Sequence, residues 1–158
     1  AQIEQAARRA FAPFDRGAGG GAAEGPFAIQ RQLQVMMQEL VGIVRTQAEM
    51  ERALAGIARL REQAERVAVS GNREYNPGWH TALDLPNLLT VSQAVTLAAL
   101  ERQESRGAQF REDFPAKDAE LGKVNIVVRK GSDGEMRIVR APLPAPAPEL
   151  QRIIEEMK

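Results

Sequence analysis

Apolar residues recur along this chain with a period near 3.6 in three stretches and a period of two in one. Ile3, Ala6, Ala7, Ala10, Phe11 and Phe14 fall at the i, i+3, i+4, i+7, i+8 spacing of one helical face, which predicts a short first helix ending near Pro13. Pro26 suits the first turn of a second helix, where its missing N–H costs nothing. Ile29, Leu33, Met36, Met37, Leu40, Val41 and Val44 form that helix's stripe, so Met36 and Met37 read as core. Extended to about Thr46, this helix is ~30 Å long at 1.5 Å per residue. Thr46 and Glu49 have the S/T-x-x-E form of a capping box and predict a restart there. A third stripe runs through Met50, Ala53, Leu54, Ile57, Leu60, Ala64 and Val67, with Glu51, Arg52, Arg59, Arg61, Glu62 and Glu65 on the other faces.

The segment "NREYNPGWH" reads as a loop turned by Asn76-Pro77-Gly78. A fourth helix is predicted from about Thr81 to Arg106, with Gly107 as the residue that ends it. Its pattern differs from the others. Leu83, Leu85, Leu88, Leu89, Val91, Val95, Leu97 and Leu100 cover more than one face, and charge is nearly absent between Asp84 and Glu101. Such a helix is expected to be buried on several sides, centrally placed and facing a partner outside this chain.

After Pro115 the period changes. Val124, Ile126 and Val128, then Met136, Ile138 and Arg140, alternate on either side of Gly131-Ser132-Asp133-Gly134, which predicts a β-hairpin. "APLPAPAP" is extended and proline-rich, and "ELQRIIEEMK" is a short terminal helix. The expected fold is mainly α: an antiparallel, spectrin-repeat-like three-helix bundle (26–107). A short helix and glycine-rich linker (1–25) precede it, and an extension with the hairpin, proline-rich segment and terminal helix (108–158) follows.

Composition narrows the function classes. The 158 residues include 44% hydrophobic but only 4% aromatic residues, so the core must rest on aliphatic side chains. Twenty-one basic residues balance twenty-one acidic ones, and no one-sided basic stripe speaks for nucleic acid. We expect no signal peptide and no apolar run approaching the roughly 20 residues that span a bilayer. Without cysteine there is no disulfide, thiolate metal site or cysteine nucleophile. The chain opens at Ala1 inside an amphipathic pattern, which suggests a piece of a longer protein, although removal of an initiator Met looks the same.

Little here carries chemistry. His80 is the only histidine, so neither a Ser-His-Asp relay nor a two-histidine metal site can be assembled from this chain. It could serve as a lone acid or base, but its ordinary reading is a loop or helix-start residue packing on its neighbours. Glu101, Arg102, Glu104, Arg106, Arg111, Glu112 and Asp113 cluster around the end of the fourth helix. A general acid among them would need its pKa raised by burial. Mixed charges at a helix end more commonly form a solvated or interdomain salt-bridge network. Gly17-Ala18-Gly19-Gly20-Gly21-Ala22 spells a G-x-G-x-x-G/A string, yet "AFAPFDR" before it is no β-branched strand and "AEGP" after it is no helix start. It reads as a linker.

Residues 73–118 carry a resemblance. "ALERQESRGA", with its E-S-R-G core, and "REDFPAKD", of the form R-x-D-F/Y-P-x-x-D, resemble the C-terminal domain of the flavoprotein subunit of succinate dehydrogenase and fumarate reductase. "PFAIQRQLQVMMQELVGIVRT" is similar to the first bundle helix of that domain, and "NPGWHTALDLPNLLTVSQAV" favours the succinate dehydrogenase branch. L-Aspartate oxidase shares a looser version. The resemblance spans about residues 26–140. Many members carry His where this chain has Gln109, which offers only amide hydrogen bonds.

The resemblance implies a helical bundle packed on a flavin domain, in a parent that binds FAD and interconverts succinate and fumarate. Electrons would pass to an iron–sulfur subunit and, through a membrane anchor, to quinone. It implies a cytoplasmic protein, peripheral on the inner face of the cell membrane, without direct membrane insertion and without nucleic acid. The family's H-P-T-like and R-x-G-G-like dicarboxylate motifs do not occur here. The expectation is therefore no catalytic, cofactor-binding or metal residue in this chain, and an isolated chain that is colourless and inactive. Arg106, Gln109, Arg111 and Asp113 are the expected interdomain contacts, with ordinary surface pairs as the simpler reading. The alternatives are a free-standing helical interaction module and the same domain of an L-aspartate oxidase-like flavoprotein.

Overall fold

A computed structural model describes residues 1–17 and 25–157. In chain order the elements are α1 (Gln2–Gly17), α2 (Pro26–Leu40), β1 (Val44–Arg45), α3 (Gln47–Ala64) and α4 (Pro77–Glu101). They are followed by β2 (Phe110–Arg111), a single 3-10 turn (Leu121–Lys123), β3 (Val124–Lys130), β4 (Met136–Pro142) and α5 (Pro148–Glu156). Helices α2, α3 and α4 each pack on the other two, giving the mainly α bundle. Its core joins Ile29 and Leu33 of α2, Ile57 and Leu60 of α3, Leu85 and Leu89 of α4, and Val67 and Val69 of the α3–α4 connection. Each such side chain contributes about 1.5–3 kcal/mol by leaving water. Met36 and Met37 pack against the edge of this core.

Several boundaries differ from the periodicity, each for a local reason. Helix α1 runs through Pro13 to Gly17, because its C-terminal half is held from outside. Trp79 Nε1 donates to Ala10 O at 2.7 Å, Val69 N to Pro13 O at 2.9 Å and Arg16 Nε to Val67 O at 2.7 Å. The Phe11 and Phe14 rings lie 5.4 and 5.6 Å from Trp79. Helix α2 stops at Leu40, short of Thr46, because the backbone of Ile43 and Arg45 is drawn into pairing with β2. The restart at Thr46 has the expected form: Thr46 accepts from Glu49 N while Glu49 Oε2 accepts from Thr46 N. Helix α3 ends at Ala64, leaving Val67 in the connection that follows.

Helix α4 starts at Pro77 rather than Thr81. Asn76 Oδ1 accepts from Trp79 N at 3.0 Å, which makes "NP" an N-cap followed by proline at the first position. It ends at Glu101, five residues before Arg106, and Gly107 is no helix terminator. Gly107 has φ +61° and turns the chain between Arg106 and Gln109, whose backbones bond each other. The unbroken α4 corrects a further expectation, since by length and composition it could cross a bilayer. Its Leu85, Leu89, Thr96 and Ala99 are nevertheless the buried face of a bundle helix. Leu88, Val91 and Val95 form an outward stripe at helical spacing, with Val91 62% exposed.

Strands β3 and β4 form the expected antiparallel hairpin, from Val124 opposite Pro142 to Lys130 opposite Met136, and both lie against α4. Arg140 Nε donates to Glu101 Oε1 at 2.7 Å, fastening the hairpin to the end of that helix. Helix α5 follows, with no buried residue.

Candidate functional site

The charged cluster at the end of α4 folds into a knot of side chains between the bundle and the hairpin. Helix α4 cannot continue past Glu101 because Arg102 turns away. Its guanidinium donates to Leu121 O at 3.0 Å, Val124 O at 2.8 Å and Glu104 Oε1 at 2.5 Å. Glu104 is fully buried. Its carboxylate also accepts from Arg106 Nε and Nη2, both at 2.9 Å, and from Asp118 N at 2.9 Å. These bonds, the Arg106 pair first, outweigh the penalty of burial and hold Glu104 at about 2. This is the opposite of a general acid, which must keep its proton near neutral pH. Gly122 makes room for the knot, since a Cβ there would sit 2.7 Å from Arg106 Nη2.

A second pair lies beside the first. Arg111 is fully buried and donates through Nε and Nη2 to the two oxygens of Asp113, each at 2.8 Å. Its Nη1 reaches Ala99 O, Leu100 O and Arg102 O at 3.1 to 3.3 Å, so it satisfies carbonyls left open at the C-terminus of α4. Asp113 Oδ2 accepts from Gln47 N, the first residue of α3, at 2.8 Å. The Arg111 bond is the main cause that holds Asp113 at about 2. Ser105 supports the turn, accepting from Arg111 N at 2.8 Å and donating to Phe114 O at 3.0 Å.

All four residues expected at an interdomain contact therefore lie in one cluster. Gln109 faces inward through its amide, which donates to Arg102 O at 2.9 Å and Glu104 O at 3.2 Å. Arg111 and Asp113 hold each other and two helix ends. Arg106 is the most open of the four, with a side chain 40% exposed. Sequence reasoning passed over Glu104 and Ser105 as sites in their own right, although both stand in the E-S-R-G string. It also missed Arg45, which carried no signal beyond its place beside the Thr46 cap. Arg45 lies next to Arg111, because β1 pairs with β2 in parallel with Arg45 opposite Arg111.

The reactive inventory is thin. His80 is exposed, with its ring 5.6 Å from Trp79. Among the described residues no group of three His, Cys, Asp or Glu is placed to hold a metal. A groove of about 450 Å3 between α2 and α3 is lined by Val35, Met36, Leu40 and Leu60, with Arg31 and Arg59 at its rim. It offers no histidine, serine or cysteine.

Comparison with known proteins decides what this framework is. Residues 30–151 match the family described as fumarate reductase flavoprotein C-term. The chain belongs to that family. The fumarate reductase flavoprotein subunit of Haemophilus influenzae is 37% identical over 91 residues, covering 57% of this chain and 15% of the relative. The L-aspartate oxidase of Vibrio cholerae is 33% identical over 99 residues, covering 63% of this chain and 18% of the relative. Among solved structures, Sdh1 of Mycobacterium smegmatis in complex with UQ1 superposes with a TM-score of 0.87 at 36% identity, covering 98% of this chain and 26% of that one. The chain thus spans under a fifth of the length of these two curated relatives.

The family is one of flavoproteins, so the described residues can be tested for a dinucleotide seat. Gly17, which opens the glycine string, is the last residue of helix α1 rather than the end of a strand. The rest of the string, residues 18–22, lies outside the described residues. The described strands form one two-residue parallel pair and one hairpin, and neither runs through a glycine turn into a helix. These residues do not fit the pyrophosphate of FAD.

Proposed function

We propose that this chain is the C-terminal helical domain of a flavoprotein subunit that interconverts succinate and fumarate, and that it braces the FAD domain without supplying catalytic groups. The observation that carries this reading is the outward stripe of Leu88, Val91 and Val95 on α4. A bundle that already buries α4 on one face has no use for a second apolar face unless something covers it. The two arginine–carboxylate pairs keep the adjoining loop rigid, so that Arg106, Gln109, Arg111 and Asp113 set the shape of the surface offered to the FAD domain. In this reading the whole protein passes electrons to an iron–sulfur subunit and a membrane anchor, and sits peripherally on the cytoplasmic face of the cell membrane.

The test compares the full-length protein with residues 1–158 alone. The full-length protein is expected to show a bound-flavin spectrum and succinate-dependent dye reduction, and the isolated chain neither. Val91→Glu in the full-length protein should loosen flavin retention. A flavin spectrum from the isolated chain would sink the proposal. The L-aspartate oxidase similarity supports a second reading, in which the same brace serves a flavoprotein that oxidises L-aspartate. Dye reduction driven by aspartate rather than succinate selects it.

A further inference from the structure

Four arginines gather where the start of α3 meets the end of α4, yet only two carboxylates are bound there. Arg102 and Arg106 share Glu104, and Arg111 takes Asp113. Arg45 is left over. It is half-buried, its Nε is shut off from solvent with no hydrogen-bond partner, and among the described residues it forms no ion pair. The nearby acids are committed or turned outward: Glu49 is bonded to Thr46, Asp113 to Arg111 and Gln47, and Glu112 is exposed. Burial, and then the like charge of Arg111, push the Arg45 guanidinium below its ordinary value. A partly desolvated cation beside another cation is unfavourable unless an anion answers it.

The surroundings are those of a protein contact. On the same two-strand ribbon Val44 and Phe110 are paired and exposed, and Ile43 beside them is 66% exposed. An arginine set beside an aromatic and aliphatic rim is a common energetic centre of an interface. A guanidinium presents a planar fork that a carboxylate matches with two bonds. We propose that Arg45 receives a carboxylate side chain from the part of the full-length polypeptide that precedes residue 1, over the apolar rim of Ile43, Val44 and Phe110. This rests on the reading above, in which a preceding flavin domain covers the bundle. It names a docking residue for that contact and the chemistry of its partner.

The experiment uses the full-length protein carrying Arg45→Lys, treated with a carbodiimide that joins an amine to a carboxylate in direct contact. Peptide mapping should find position 45 linked to an Asp or Glu preceding residue 1. An amine-reactive cross-linker on the unaltered protein reports docking separately, through Lys117, Lys123 and Lys130. If those lysines reach the preceding domain while position 45 does not, the Arg45 inference falls and the packing stands. If neither reaches it, both fall. Links from position 45 only to acids within residues 1–158, or to a second copy, also overturn the inference, as does protection of position 45 by added phosphate. Should Arg45→Lys fail to fold, phenylglyoxal labelling of the unaltered full-length protein decides. Arg45 should label at least ten-fold more slowly than the comparably half-buried Arg61, and equal or faster labelling overturns the assignment.

Discussion

Arg111 and Asp113 form one bidentate pair that caps two helices at once. The guanidinium meets the final carbonyls of α4, and the carboxylate meets the first N–H of α3. Each charge sits at the helix end whose dipole it complements. The end of α4 and the start of α3 are thus tied together by Arg111 of β2 and by Asp113 just beyond it.

Glu104→Gln should destabilise the folded chain by about 3 kcal/mol, because removing one member of a buried ion pair strands the other. Arg102 and Arg106 would face a neutral amide with half the acceptor capacity. Urea unfolding followed by far-UV circular dichroism measures the change. A shift below about 0.5 kcal/mol, the scale of an ordinary surface substitution, would show that the pair is dispensable.

Acid should unfold this protein through the same groups. Glu104 and Asp113 fall from ordinary values of 4.5 and 3.8 to about 2 on folding. Lowered values mean that the unfolded chain takes up protons first, so their contribution is complete above about pH 5 and is lost as pH falls toward 2. Melting temperatures between pH 7 and pH 2 should trace this loss. In the Glu104→Gln, Asp113→Asn double variant the slope should flatten.

Trp79→Phe keeps an aromatic ring beside Phe11 and Phe14 but removes the bond to Ala10 O. The expected cost is about 1 kcal/mol. It should appear locally, as faster hydrogen exchange over residues 2–17 with little change in the bundle. Uniform acceleration throughout would mean that α1 is integral to the core.

Ending the chain at Leu143 should leave its stability within about 0.5 kcal/mol, because no α5 residue is buried and Ile153 and Ile154 are each half exposed. A drop in melting temperature of several degrees would show that α5 packs on the bundle.

Much of the architecture was legible because it repeats. The stripes of α2 and α3 and the alternation in β3 and β4 state their own period, α4 shows as a long apolar run almost without charge, and the Thr46–Glu49 box marks a helix start within four residues. The E-S-R-G and R-x-D-F-P strings carried the family. Errors gathered where partners distant in sequence intervene. The pattern of α2 overruns its end because β1 pairs with residues more than sixty positions away, and that of α4 overruns its C-terminus because Arg102 bonds Leu121 and Val124. Helix α1 outlasts Pro13 because its hold on Trp79 and Val69 outweighs the proline inside it.

By itself the sequence determined the bundle, the hairpin and the family, since these follow from local periodicity and contiguous strings. Only the tertiary structure decided which charges of the cluster are buried, which carboxylate serves which arginine, and that Arg45 is left without one. Pairing among seven closely spaced charges depends on distances of about 3 Å and on exclusion of water, and neither is encoded in spacing along the chain.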